Sequence, residues 1–106
     1  MANRPIQISP GILHDRSKLL IMSHLATEKG PISFTEVQNR TQLTKGNLSS
    51  HLQKLEVEVL IKIKKQFVDK KPMTSIEMTA KGRQAFREHL ETLQALIQTL
   101  KTGGKA

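Results

Sequence analysis

Thr44, Lys45, Asn47, Ser49, Ser50, Gln53 and Lys54 stand close together in the middle of this chain, and Lys64, Lys65, Lys70 and Lys71 follow shortly after. Hydroxyls and carboxamides can donate to or accept from the edges of nucleic-acid bases, and ammonium groups can neutralise phosphates. The spacing of the first group is informative. Laid out as a helix from Lys45 to Val57, at about 100° per residue, Leu48, Leu52 and Leu55 fall on one narrow face. Gly46, Ser49, Ser50 and Gln53 fall on the opposite one, flanked by Asn47 and Lys54. Three leucines would pin such a helix to a body. Its outward face would be slim enough to enter a major groove.

Around this helix the order of elements is that of a winged helix-turn-helix. Residues 1–10 hold two prolines and no periodicity, so an extended arm is expected. A first helix is expected from about Ile12 to Thr27, closed by Gly30 and Pro31. Leu13, Leu20 and Ile21 form one of its faces, but Leu19, Met22, Leu25 and Ala26 take up much of the remaining circumference. A helix apolar most of the way round is buried on more than one side, and a second copy of the chain could supply the second surface. Ile32 to Phe34 can form one very short strand. Ser33 stands three residues before Glu36, the spacing of a capping box, so a helix should start at Phe34, carry Phe34, Val37 and Leu43 inward and stop near Arg40 or Thr41. Thr44 should then cap the next helix. After Val57 the period changes to two. Ile61 and Ile63 alternate with Lys62 and Lys64, and Ile76 and Met78 with Ser75 and Glu77, which is a half-buried antiparallel pair joined by a turn at Asp69-Lys70-Lys71-Pro72. Thr79 should cap a long last helix, about Ala80 to Leu100, before a flexible tail over 102–106.

With 106 residues the chain suits one modest domain, mainly α in class with a two- or three-stranded antiparallel wing. Its net charge of +8 is unevenly placed: between Ile61 and Pro72, Lys62, Lys64, Lys65, Lys70 and Lys71 face a single acid, Asp69. A cationic ribbon abutting a polar helix points to a polyanion, because each phosphate neutralised releases counterions; a lysine-protected strand edge is the plainer alternative. Three Phe with no Trp or Tyr leave little to stack on unpaired bases, so the expected partner is double-stranded DNA. The absence of cysteine excludes disulfides and thiolate metal sites. There is no signal-like or membrane-length apolar run, so a cytoplasmic protein without membrane contact is expected.

The run Leu43 to Phe86, with LTKGNLSSHLQKLE, the KKP turn and MTAKGR, resembles the winged helix-turn-helix DNA-binding domains of bacterial and archaeal transcriptional regulators, related to the MarR and ArsR types. Such sequences usually carry glycine where this one has Val59, so the end of the second helix of the motif and its tilt to the wing are open to departure. Lys62 stands where an acid is common. The resemblance implies a dimer with one recognition helix per subunit in adjacent major grooves. By position it implies DNA contact from Thr44, Lys45, Asn47, Ser49, Ser50 and Gln53, and from Lys64, Lys65, Lys70 and Lys71 of the wing. Our division of roles gives base edges to Asn47, Ser50 and Gln53, and phosphates to Thr44, Lys45, Lys54 and the wing lysines.

In the last helix Phe86, Leu90, Leu93, Ile97 and Leu100 recur at the spacing of an a/d seam. Its far half should overhang the core and meet a second copy through Leu90, Leu93, Leu96, Ile97 and Leu100, or meet Leu19 and Met22 of the first helix. Of the histidines, His14, His24, His51 and His89, none stands in a metal-ligand spacing with another. His89 with Glu91 is similar to part of the zinc site of ArsR-type sensors, but the second histidine is missing. No phosphate loop, nucleophile elbow or carboxylate pair is visible, so neither catalysis nor a cofactor is expected. The resemblance allows a small-molecule effector in a pocket between the first helix and the winged core of such dimers, but no residue pattern here identifies one. The expected function is sequence-specific regulation of transcription, as a homodimeric repressor acting by occlusion. A winged-helix protein-interaction module and a non-specific duplex binder are the alternatives.

Overall fold

The computed structural model of the protein describes residues 15–103, so the expected arm and the stretch from Ile12 to His14 lie outside the described residues, as do 104–106. Helix α1 (Arg16–Ala26) starts later than its apolar pattern suggested, because Asp15 is extended and accepts the Lys18 backbone N–H at 3.1 Å. A carboxylate in that position satisfies an amide that the first turn leaves unpaired. β1 (Ile32–Ser33) leads without a break into α2 (Phe34–Thr41). Ser33 Oγ accepts the Glu36 N–H at 3.1 Å, while the Glu36 carboxylate takes the Arg40 Nε–H at 2.8 Å. The cap thus forms from the serine side, and Glu36 is spent on its own helix. Gln42, in the left-handed region at φ 61°, closes α2 and turns the chain sharply into α3 (Lys45–Val57), whose first turn Thr44 caps through Asn47 N–H at 3.1 Å.

Two eight-residue strands follow, β2 (Ile61–Val68) and β3 (Lys71–Met78), and with β1 they form a three-stranded antiparallel sheet in the order β1-β3-β2. The register sets Ile61 opposite Met78, Ile63 opposite Ile76 and Phe67 opposite Pro72. The turn is tighter than the four-residue tip expected. Asp69 and Lys70 alone make it, at φ 53° and 65°, the pair of left-handed residues that matches the twist of a two-residue hairpin. Pro72 belongs to β3, and β1 pairs only with Ser75 and Ile76. Its missing N–H therefore falls on an unpaired edge, where nothing is lost.

The core gathers Ile21, Met22 and Leu25 of α1, Val37 of α2, the three leucines of α3, Leu60, Ile61, Ile76 and Met78, and Ala85 and Phe86 of α4 (Ala80–Gly103). Met22, expected to meet a partner, is 0% exposed and packs inside its own domain. α1 is covered by α2, α3 and β3, which accounts for its apolar circumference without a second chain. Leu19 is only partly buried at the margin of this core. α4 continues through Thr102 and Gly103, beyond the expected end at Leu100. It is buried on Gly82, Ala85, Phe86 and His89, and then leaves the body. Leu93 is half-buried and Leu90, Leu96, Ile97 and Leu100 are exposed, the last at 79%. A 24-residue helix runs ~36 Å, which explains how the protein reaches 63 Å along one axis and only 24 and 22 Å along the others.

The end of α3 decides how helix and wing meet. Val59 takes φ 60°, donates its N–H to the Glu56 carbonyl at 2.9 Å, and is followed by Leu60, which donates to Leu55 at 3.0 Å. Both bonds of a Schellman stop are present, so the valine is held in the conformation glycine usually supplies. The holding groups are visible. Thr79 Oγ donates to the Val59 carbonyl at 2.6 Å and Thr79 N–H to the Leu60 carbonyl at 3.1 Å; Lys81 Nζ reaches the Glu58 carbonyl at 3.0 Å. Thr79 Oγ also accepts the Gly82 N–H at 2.9 Å and so caps α4. Gly82 lies against the Leu60 carbonyl group, and a Cβ there would come within 2.9 Å of the Leu60 carbonyl carbon and of Met78 Cγ, and nearer still to the Leu60 oxygen.

Two stability outcomes follow for urea denaturation. Val59→Gly should stabilise by about 1 kcal/mol, since it relieves a left-handed β-branched residue whose side chain is mostly exposed. Gly82→Ala should destabilise by about 3 kcal/mol, because its methyl meets backbone rather than a movable side chain.

Candidate nucleic-acid interface

Leu48, Leu52 and Leu55 are buried, and with them fixed the helical repeat turns Gly46, Ser50, Gln53 and Val57 outward. Thr44, Lys45, Gly46, Asn47, Ser50, Gln53 and Lys54 are all exposed and Ser49 is half-buried. The outward surface of α3 is uncovered by the described chain. Beside it runs an open cleft of about 920 Å³ whose walls are α3, the start of α2 and the wing. Lys45, Ser49 and Gln53 line it from the helix and Lys65 from β2. Asn47, Ser50 and Lys54 belong to the far side of the helix crest, away from the cleft. The helix and ribbon therefore present one continuous polar and cationic surface with a furrow between them.

Strand alternation separates Lys64 from Lys65. Ile61 and Ile63 turn toward the core, so Lys65 and Phe67 continue on the helix-facing side, whereas Lys62 and Lys64 stand on the opposite face. Lys64 is thus removed from the surface that Lys65 shares with α3. Lys70 occupies the turn and Lys71 the first position of β3, both exposed at the far end of the ribbon.

Other residues position this surface without having been singled out. Glu56, at the cleft floor, accepts the Ile63 N–H at 3.3 Å and laces the last turn of α3 to β2. Lys18 is 5% exposed and donates from Nζ to His51 Nδ1 at 2.9 Å, with Asp15 Oδ2 at 3.5 Å. This contact fixes α1 to the middle of α3 and leaves the ring proton of His51 on Nε2. Burial, and then the Lys18 and Lys54 ammonium groups, hold His51 below the usual imidazole value of 6.5; Asp15 opposes them. The Lys18 backbone N–H, helped by the Lys18 charge, holds the Asp15 carboxyl below its ordinary 3.8. Nothing in local spacing marks a pair 33 residues apart. Among the described residues no group of three or more His, Cys, Asp or Glu is placed to hold a metal ion, and no helix is long and apolar enough to cross a membrane.

Residues 18–97 match the family of winged helix DNA-binding domains. Over 68 residues the chain is 32% identical to an uncharacterized protein of Methanocaldococcus jannaschii, covering 64% of this chain and 74% of that one. Its structure is similar to that of a transcriptional regulator homologue from Pyrococcus horikoshii, with a TM-score of 0.79 and 34% identity over 85% of this chain and 88% of the other. A mutant of MepR from S. aureus, bound to an oligodeoxyribonucleotide, shares the fold at a TM-score of 0.72 and 18% identity, covering 87% of this chain and 70% of that one.

The lowered His51 value has a definite sign for stability. A histidine neutral in the fold stabilises above its unfolded value of 6.5, and that contribution is lost as pH falls through the lower folded value. His51→Gln keeps an acceptor for Lys18 but cannot titrate. Urea denaturation across pH 7 to 5 should therefore show a shallower loss of stability for His51→Gln than for the parent protein.

Proposed function

The chain belongs to the family of winged helix DNA-binding domains, and from that premise we propose that it is a sequence-specific transcriptional regulator that binds double-stranded DNA as a homodimer and represses by occlusion. The observation that carries this reading is the bare crest of α3 set beside a cationic ribbon across an open cleft. The crest can enter a major groove of about 12 Å width. Asn47, Ser50 and Gln53 then meet base edges. Thr44, Lys45, Lys54 and Lys65 hold phosphates, Lys70 and Lys71 do so from the end of the ribbon, Ser49 faces the cleft wall, and Lys64, on the strand face opposite Lys65, meets phosphate only from the outer side of the wing. The structural neighbour solved with an oligodeoxyribonucleotide supports the choice of DNA.

The overhang of α4 supports the dimer. Leu90, Leu96, Ile97 and Leu100 are exposed and, with the half-buried Leu93, form an apolar strip, and Leu19 lies at the margin of the core. Pairing of these strips about a two-fold axis would offer two recognition helices to half-sites about one helical turn, ~34 Å, apart.

Exchanging Lys70 and Lys71 for Ala should weaken binding about equally on all sequences and flatten the salt slope by up to ~0.9 per lost phosphate contact. Gln53→Ala or Asn47→Ala should instead reduce discrimination at particular base pairs by ~1 to 3 kcal/mol. Competition against random duplex at physiological salt measures both, and a parent protein with no sequence preference would sink the regulator reading. For the dimer, Leu93→Asp combined with Ile97→Asp should yield a monomer in sedimentation equilibrium that no longer prefers paired half-sites to single ones.

A further inference from the structure

At the far end of the wing, Phe67 is 76% exposed, and its neighbours Val68, Met73 and Pro72 are exposed as well. A large aromatic in water at the tip of a soluble ribbon serves neither core nor solubility. Its setting is specific. Phe67 is the cross-strand partner of Pro72, next to the two-residue turn. Pairs flanking such a turn alternate, and this one is of the non-hydrogen-bonded kind, whose side chains lie closest. By alternation Phe67 stands on the same face as Lys65, the face turned toward α3 and the cleft.

We propose that Phe67, braced by Pro72, is an apolar wedge that enters the minor groove next to the major groove occupied by α3 and widens or kinks the duplex there. The inference rests on the duplex-binding reading and adds a contact to it. Three observations carry it. First, reach: Val68 stands five steps along the strand from the half-buried Ile63, so the unsupported ribbon extends ~16 Å past the core. That exceeds the ~12 Å width of a major groove, so the tip passes the phosphate ridge. Second, size: two strands ~4.8 Å apart, with their side chains, are too broad for a minor groove ~6 Å wide. One ring can enter where the ribbon cannot. Third, charge: Lys65 stands two residues from Phe67 on the same strand face, and Lys70 and Lys71 lie at the adjacent turn, on a chain of net charge +8. A second copy would meet this tip with the same cations, whereas a polyanion complements them. Apolar side chains placed between base steps unstack them and bend the duplex.

The test uses the full chain on an end-labelled duplex of the sequence the protein itself selects from a random pool. Phe67→Ser should lower affinity roughly tenfold. It should also reduce the bend read by end-to-end energy transfer, while the slope of affinity against salt stays unchanged because no phosphate contact is removed. Phe67→Leu should retain most of the bend. Exposure of the ring makes misfolding of either variant no concern, and circular dichroism checks this. Parent-like affinity and bend for Phe67→Ser, on a duplex the parent binds selectively, would overturn the wedge and leave the regulator reading standing. So would a change in sedimenting mass caused by Phe67→Ser, which would assign the tip to a protein contact. Failure of the parent protein to select any duplex would remove both.

Discussion

The corner at Leu60 is the constraint on which this structure turns. Within a few residues α3 must stop, the chain must reverse into β2, and α4 must pass close enough to brace both. Leu60 is buried, its carbonyl group receives the Thr79 N–H on one side and leaves room only for Gly82 on the other. The Val59 carbonyl is held by the Thr79 hydroxyl. The angle between α3 and the wing is therefore set by the backbone groups of this corner together with the Thr79 hydroxyl. A valine in a left-handed conformation persists because these bonds over-determine it, at a strain of about 1 to 2 kcal/mol.

Charge and shape are divided over the molecule in a way that follows from this corner. The middle of α3 is tied to α1 through the buried ammonium of Lys18, and His51 accepts from it as a neutral ring. Half-way along the crest there is consequently no histidine charge near neutral pH, and the helix offers cations only at Lys45 and Lys54. The wing adds Lys62, Lys64, Lys65, Lys70 and Lys71. On the proposed reading, attraction to phosphate comes mostly from the ribbon and discrimination from the crest, and the two can vary separately.

Local rules made much of the architecture readable from the residues. Ser33 and Thr44 capped their helices as expected, because a hydroxyl three residues ahead of an amide is a short-range relation. Leu48, Leu52 and Leu55 defined the crest by subtraction, since whatever they do not bury must face out. Misreadings came where distant groups decide. The apolar residues of α1 suggested a second chain, yet Met22 is covered by elements that follow much later in sequence. Glu36 matched a capping box and was claimed by Arg40. Asp15 was passed over as a cap because apolar residues precede it. Lys64 is a different case: period two alone places its side chain on the strand face opposite Lys65. For the candidate surface, identities were legible along α3, while Glu56, Lys18 and the orientation of Phe67 needed the packed fold.

The hairpin tip constrains how this wing can change over evolution. Asp69 and Lys70 form the shortest loop that reverses an antiparallel pair, so the ribbon has no slack in which to absorb an extra residue. One residue inserted into β2 between Ile63 and Lys65 would send Lys65 and the aromatic ring to the opposite face. Lengthening is compatible with the present arrangement only in matched pairs, two residues in each strand. Divergent wings of this type are thus expected to differ in length by quantised steps, with the identity of the tip preserved relative to the helix or exchanged wholesale.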